Sequence, residues 1–243
     1  MNERIRMFEE LAANAHVALN VMQYDGWLLR FSEGHTSRVN SVSPIYPSTL
    51  NVNEKIDFCE KEYKKQNLPC IFKLTDEDSD LKEILYKRGY KDVTPSDVMT
   101  LKIDNIKMPK GDLVFFDIPQ EEWLKPYFSF EGFDERKQSI YRRMLDKVVV
   151  DTKYVAIKEN GEIVATASSA TERGYMLIQN VIVSPEHRRK GYGKAVCEAL
   201  LAKAKEAGTK NAWLQVLQDN EAAHTLYEGL GFEKEYGYVY LKK

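Results

Sequence analysis

The stretch Tyr175-Met176-Leu177-Ile178-Gln179-Asn180-Val181-Ile182-Val183-Ser184-Pro185-Glu186-His187-Arg188-Arg189-Lys190-Gly191-Tyr192-Gly193-Lys194 decides the fold. Its first nine residues, rich in β-branched and aliphatic side chains, read as a strand; Ser184 to His187 reads as a turn, and Gly191 to about Glu206 as an amphipathic helix. A helix N-terminus has backbone N–H groups without intrahelical partners and a positive dipole end, so it favours phosphate oxygens. Gly191 and Gly193 let the backbone curl around an anion and keep side chains out of its way, and Arg188, Arg189, Lys190 and Lys194 add positive charge at the rim. Val196, Leu200, Leu201 and Ala204 form the stripe that ties this helix to a core.

Other phosphate motifs fit poorly. A Walker loop requires Ser or Thr after its lysine, and Ala195 follows Lys194; a dinucleotide fingerprint requires a third glycine where Val196 stands. What remains, R-x-x-G-x-G between a strand and a helix, resembles the acetyl-CoA pyrophosphate loop of the GNAT superfamily of N-acyltransferases. A second motif strengthens the resemblance. Asn211 to Leu217 reads as the next strand, Asp219-Asn220 as a helix cap, Glu221 to Tyr227 as a helix and Tyr236 to Leu241 as a last strand. Across them runs N-x-x-A-x-x-x-Y-x-x-x-G-F (Asn220, Ala223, Tyr227, Gly231, Phe232), the superfamily's pattern after its fifth strand.

Composition sets the class. Across 243 residues, 35 basic and 37 acidic side chains leave a formal charge of −2, so nothing global calls for nucleic acid or an anionic membrane as partner. The three cysteines, Cys59, Cys70 and Cys197, have no C-x-x-C spacing, which argues against a disulfide framework or a metal site. Met1 to Ala18 shows helical spacing interrupted by charge, neither a signal peptide nor a span, so a cytoplasmic protein is expected.

A weak internal repeat relates Leu85-Tyr86-Lys87-Arg88-Gly89-Tyr90 to Leu226-Tyr227-Glu228-Gly229-Leu230-Gly231-Phe232. Upstream of each lies a strand (69–74 and 212–217) and before that a helix (54–66 and 193–206); downstream lies another strand (97–103 and 236–241). The expected fold is α/β (α+β), with two tandem GNAT-like domains, each a mixed, mostly antiparallel sheet flanked by helices. Residues 1–108 form the first and 109–243 the catalytic second, joined near Asp104 to Gly111. The first is expected to be degenerate: Val42 to Asn51 carries two prolines and no R-x-x-G-x-G. Asp25 to Val42 reads as a hairpin. Its Arg30, Arg38 and Asn40 either face a cleft between the halves or knit the hairpin together, the second being the commoner use of such residues. In the second half, 120–130 and 134–148 read as helices and 154–158 and 163–169 as strands around the turn at 159–162. Tyr127, Phe128, Phe130 and Phe133 are an aromatic wall or plain core.

The resemblance implies the chemistry. It implies acetyl-CoA as co-substrate, with no metal, held by Arg188, Arg189, Lys190, Gly191, Tyr192, Gly193, Lys194 and Asn220 and by the backbone of Val181, Ile182 and Val183. Tyr227 corresponds to the family's general acid, since a phenol with a pKa of about 10 keeps a proton for a departing thiolate; a core tyrosine is the alternative. Asn220 also suffices as a helix cap. The strand position at which many members carry a basic glutamate falls on Leu177, so the base is open between water, Glu172 and an amine that arrives neutral. His187 and His224 read as surface residues. The implied activity is N-acetyl transfer to a primary amine of a small molecule or peptide by direct attack in a ternary complex; the alternative is a non-catalytic acyl-CoA sensor. Nucleic-acid binding through Arg188-Arg189-Lys190 is disfavoured by the acidic balance elsewhere.

Overall fold

The structure is a computed structural model describing residues 1–243. In chain order its elements are α1 (Glu3–Ala15), β1 (Asn20–Tyr24), β2 (Trp27–Phe31), β3 (Val42–Pro44), α2 (Val52–Lys65), β4 (Ile71–Thr75), α3 (Ser79–Lys87), β5 (Lys91–Lys102), β6 (Asp112–Phe116), α4 (Glu121–Glu131), α5 (Glu135–Leu145), β7 (Asp151–Glu159), β8 (Glu162–Glu172), β9 (Tyr175–Val183), α6 (Tyr192–Glu206), β10 (Asn211–Leu217), α7 (Glu221–Glu228) and β11 (Glu233–Lys242). Short 3-10 turns stand at Ser37–Val39 and Pro185–His187.

One sheet of eleven strands runs in the order β1-β2-β3-β4-β11-β5-β10-β9-β8-β7-β6. This corrects the expectation of a separate sheet in each half, and the pairing gives the reason. β5, from the first half, lies antiparallel to β10 of the second, from Asn211↔Lys102 to Leu217↔Ser96. β11, which ends the second half, lies antiparallel to β4 of the first, from Tyr238↔Thr75 to Lys242↔Ile71. The two exchanged strands also pair with each other. Each half thus lends its last strand to the other, and neither sheet edge is left at the seam, where an unpaired row of amides would be a liability.

The helix α1 lies across the seam. Asn2 caps it by accepting from the Ile5 amide at 2.8 Å. Its Ile5, Phe8, Leu11, Ala12 and Ala15 pack on Ile71, Val98, Ala170, Leu177, Trp213, Tyr236, Tyr238 and Tyr240, a cluster drawn from both halves. The Phe8 ring meets those of Tyr175, Trp213 and Tyr236 at 5.5, 5.2 and 6.3 Å. Full burial of one such ring is worth about 1.5–3 kcal/mol, so α1 is a principal tie between the halves. Glu9 on the same helix accepts from Lys73 Nζ at 2.6 Å and from the Tyr236 hydroxyl at 2.8 Å, which satisfies both buried charges.

On the opposite face, α6 covers β7, β8, β9 and β10, with Val196, Leu200 and Leu201 buried among Val155, Ala165, Ile178 and Leu214. α2 and α3 cover the first half in the same way, through Ile56, Tyr63 and Leu85 on Leu29, Phe72 and Leu74.

Some local expectations shift. Asp25 to Val42 is not one hairpin: the tight turn is Asp25-Gly26, with φ of 41° and 81°, joining β1 to β2, and residues 32–41 loop back to β3. Only glycine fits at 26, because a Cβ there would stand 2.4 Å from the Pro47 carbonyl oxygen. β5 starts six residues earlier than the 97–103 reading, beyond Pro95, which masks the strand in the sequence. β6 was not anticipated; it is a short edge strand paired only with β7.

Candidate active site

β9 and β10 run parallel, but they pair only over Asn211↔Tyr175, Ala212↔Met176 and Trp213↔Leu177. Beyond Leu177 they diverge. On its other side β9 stays bonded to β8, with a register break at the bulge around Asn180, whose φ is 56°. The edge of Val181, Ile182 and Val183 that faces β10 therefore has no strand partner, and its amides and carbonyls open into the gap.

That gap is a cleft of about 750 Å³, floored by Val181 to Val183, closed on one side by residues 187–189 and 191–194 and on the other by α7 through Ala223, Leu226 and Tyr227. The volume lies within the usual range for small-molecule sites. At its mouth the loop before α6 places Arg189 at φ 65° and Gly191 at φ 86°, alternating with extended Arg188. This left-handed pattern turns successive amides toward one side, as in anion-binding nests, at the start of a helix of 15 residues. Gly193 is held close: a Cβ there would meet Leu226 Cδ1 at 3.1 Å and Val183 Cγ2 at 3.5 Å.

The residues singled out from the sequence come together, with two exceptions. All but Lys190 and Asn220 line the cleft. The Lys190 ammonium is drawn to Glu159 at 3.4 Å, a carboxylate that also accepts from the Tyr192 hydroxyl at 2.6 Å and lies 3.0 Å from His187 Nε2. Those contacts hold the Glu159 carboxyl below its usual range, the tyrosine hydrogen bond foremost, and pin the loop to the β7–β8 turn. The Asn220 side chain accepts from the Ala223 amide at 3.1 Å, the cap role that needs no ligand. Arg188 Nε donates to the Val183 carbonyl at 3.4 Å, tying the loop to the end of β9.

Tyr227 borders the cleft, and no hydrogen bond to its hydroxyl is among the influences on it. Burial pushes its pKa well above the usual phenol value, the thiol of Cys197 adds to the rise, and the charge of Arg38 opposes it. The phenol is protonated at neutral pH. Of the aromatic wall, Tyr127 and Phe128 are core residues beside Trp123, whose indole N–H donates to the Val155 carbonyl at 2.9 Å. Yet the Tyr127 hydroxyl also donates to Asn180 Oδ1 at 3.1 Å, while Asn180 Nδ2 donates to Tyr141 and Ser168 at 2.9 and 2.8 Å. This network locks the bulge, and the sequence carries no sign of it beyond an asparagine in a strand.

Leu177 is buried beneath α1, so no carboxylate stands at that strand position. Glu172 sits at the far end of β8, bonded to Asn14 at 3.0 Å and beside Arg173 at 3.3 Å, away from the cleft. His16, not singled out from the sequence, shares a small pocket with Gln179 and Asn180. Burial, with the charges of Arg38, Arg30 and Lys73 behind it, holds its imidazole well below the usual histidine range and so neutral.

The corresponding loop of the first half, residues 45–51, is differently built. There the Asp25 carboxylate accepts from the Thr49 and Leu50 amides at 3.0 and 2.9 Å, and Lys55 lies 3.1 Å from it with its side chain fully buried. An internal carboxylate occupies the amides that lead into α2, and the Leu50 hydrogen bond is the main reason its pKa is depressed. Asp25→Ala should lower the melting temperature by several degrees, because the Lys55 ammonium loses its counter-charge, while leaving acetyl-CoA affinity unchanged; thermal unfolding and calorimetry check the pair of outcomes.

A family model described as "Probable histone acetyltransferase Rv0428c C-terminal" matches residues 3–241. The chain belongs to this family. It is a member of the GNAT superfamily of N-acetyltransferases. The uncharacterized N-acetyltransferase YobR of Bacillus subtilis is 28% identical over 236 residues, 94% of either chain. The ribosomal protein bS18-alanine N-acetyltransferase of Escherichia coli K12 is 33% identical over 78 residues, which span 32% of this chain and 53% of that one. Among solved structures, a GCN5-related N-acetyltransferase from Kribbella flavida superposes with a TM-score of 0.72 at 17% identity, covering 99% of this chain and 94% of that one; the shared fold is GNAT-like.

Proposed function

We propose that this GNAT protein is an acetyl-CoA-dependent N-acetyltransferase that acts on a primary amine of a small molecule or peptide by direct attack in a ternary complex. The observation that carries the reading is the joining, in one cleft, of a left-handed amide loop, an unpaired strand edge and a free phenol. Residues 188–194 suit the diphosphate, with Arg188, Arg189 and Lys194 as counter-charges. The open edge of Val181 to Val183 suits the amide-bearing arm, and nothing in the donor set calls for a metal.

When bound, acetyl-CoA supplies a thioester carbonyl open to nucleophilic attack. The edge amides of β9 polarise that carbonyl. The amine nitrogen bonds to the acyl carbon, the C–S bond breaks, and Tyr227 gives its proton to the sulfur before recovering one from solvent. The proton shed by the amine passes to water. Residues 1–108 are read as a half without a cofactor site of its own, supported by the internal Asp25 carboxylate, and 109–243 as the catalytic half completed by β5. The cytoplasm is the compartment we assign.

A second reading, an acyl-CoA sensor without turnover, is favoured by buried Leu177 where many members have a glutamate. Thiol release from acetyl-CoA over a panel of amines separates the two: the enzyme releases thiol with at least one acceptor, the sensor binds acetyl-CoA and releases none.

A further inference from the structure

The face of the sheet beneath α1 carries side chains that an apolar core does not select. On β2, Trp27 and Leu29 enter the core under α2, which turns Arg30 to the α1 side. On β8, Ala165 and Ala167 face α6 and Thr166 faces the other way; on β9 and β10, Gln179 and Gln215 follow Leu177 and Trp213 on the α1 side. Arg30 Nε, Thr166 Oγ1, Gln179 Oε1, Gln215 Nε2 and the Tyr240 hydroxyl are all buried without a partner in the chain. Buried polar groups are ordinarily satisfied, so a cluster of unsatisfied ones on one face is informative.

The charges in this region do not cancel. Arg30 is 4% exposed, and neither it nor Arg38 lies within salt-bridge distance of any carboxylate, unlike Lys73 with Glu9. Arg38 comes from the loop 32–41 and lies close enough to the phenols of Tyr238, Tyr240 and Tyr127 for each to favour its charge. It nevertheless keeps accessible surface, as does Tyr227, whose phenol feels its charge. The Glu131 carboxylate also feels Arg38 but forms no ion pair with it. By contrast Asn40 serves the loop alone, accepting from the Ser32 and Gly34 amides at 2.7 and 3.0 Å and donating to the Thr36 carbonyl at 2.8 Å. Of the three polar residues flagged in this segment, one is structural and two are charges held without a counter-ion.

Unpaired buried guanidinium groups are costly and are matched by anions, and a planar fork fits a carboxylate. This polar face reaches the bulge at Asn180 through Gln179, which shares a small pocket with His16 and Asn180. We propose that Arg38 and Arg30 bind the carboxylate of the acceptor, so that the substrate is an amine bearing a carboxylate, an amino acid or a close relative, and not a polyamine. The inference rests on the cleft being the acetyl-CoA site. Net positive charge repels a di- or tricationic amine, whereas a zwitterion places its carboxylate on the arginines and its amine toward the cleft. The neutral amide groups of Gln179 and Gln215 are suited to the rest of such a molecule.

The test is thiol release from acetyl-CoA with free α-amino acids, their α-carboxamides and spermidine, on wild type, Arg38→Gln and Arg38→Lys, with calorimetric acetyl-CoA binding measured on each. The expected result is acetylation of at least one amino acid, with kcat/KM roughly 10- to 100-fold lower for its amide. Arg38→Gln should lower the acid's kcat/KM by a similar factor without changing the amide's, and Arg38→Lys should restore part of it. Amides or spermidine used as well as acids, or no acid acetylated by a protein that binds acetyl-CoA, would overturn the inference while leaving the cofactor assignment intact. Failure to bind acetyl-CoA at all would sink the functional reading, and this inference with it.

Discussion

Tyr227→Phe is expected to lower kcat by about 10²-fold while changing the Kd for acetyl-CoA less than twofold. The phenol borders the cleft, has no hydrogen-bond partner in the chain, and is kept protonated by burial. Removing only the hydroxyl leaves no cavity and no orphaned partner, so the fold is preserved and the loss is read as chemistry. The pH dependence carries the same sign. Because the phenol pKa is raised and the protonated form is the active one, kcat should show no alkaline decline from this group between about pH 7 and pH 10. Rapid-quench turnover on both proteins decides the matter; wild-type rates for the variant would return Tyr227 to the status of a wall residue.

The second large effect is on binding. The double substitution Arg188→Ala with Gly191→Trp should weaken acetyl-CoA at least 100-fold, equivalent to about 2.7 kcal/mol. Arg188 ties the loop to the end of β9, and Gly191 sits at φ 86°, where a side chain costs roughly 1–2 kcal/mol of backbone strain. A Cβ at 191 would meet nothing within 4 Å, so the indole is accommodated at the cleft mouth, where it displaces the ligand instead of disrupting the core. Calorimetry with an unfolding scan checks both halves of the statement. Unchanged affinity in a folded variant would place the diphosphate elsewhere.

What was legible in the sequence acts through neighbouring backbone. Gly191 and Gly193 mark the loop, Asn220 marks a helix start, and the alternation around residues 159–162 marks a hairpin; the structure has each of these where local geometry requires it. What was not legible depends on distant partners. The repeat announces two halves of like element order, but no local signal distinguishes a strand that pairs within its half from one that crosses, so the exchange of β5 and β11 was invisible. Lys190 looks like a ligand until Glu159, far away in sequence, is seen to hold it. Arg30, Arg38 and Asn40 look alike in a loop-rich segment, and only their partners in the fold separate two charges without an ion pair from a turn-former. The bulge at Asn180 is set by Tyr127, Tyr141 and Ser168 from three other elements.

The central claim is that the amides of residues 188–194, next to the open edge of β9, grip the diphosphate of the donor. Hydrogen exchange of the full chain with and without acetyl-CoA measures those amides directly. Slowed exchange is predicted in peptides covering 181–183 and 188–194, with none in 45–51, where Asp25 already occupies the amides. Protection appearing in 45–51, or absent from 188–194 under saturating acetyl-CoA, would contradict the account.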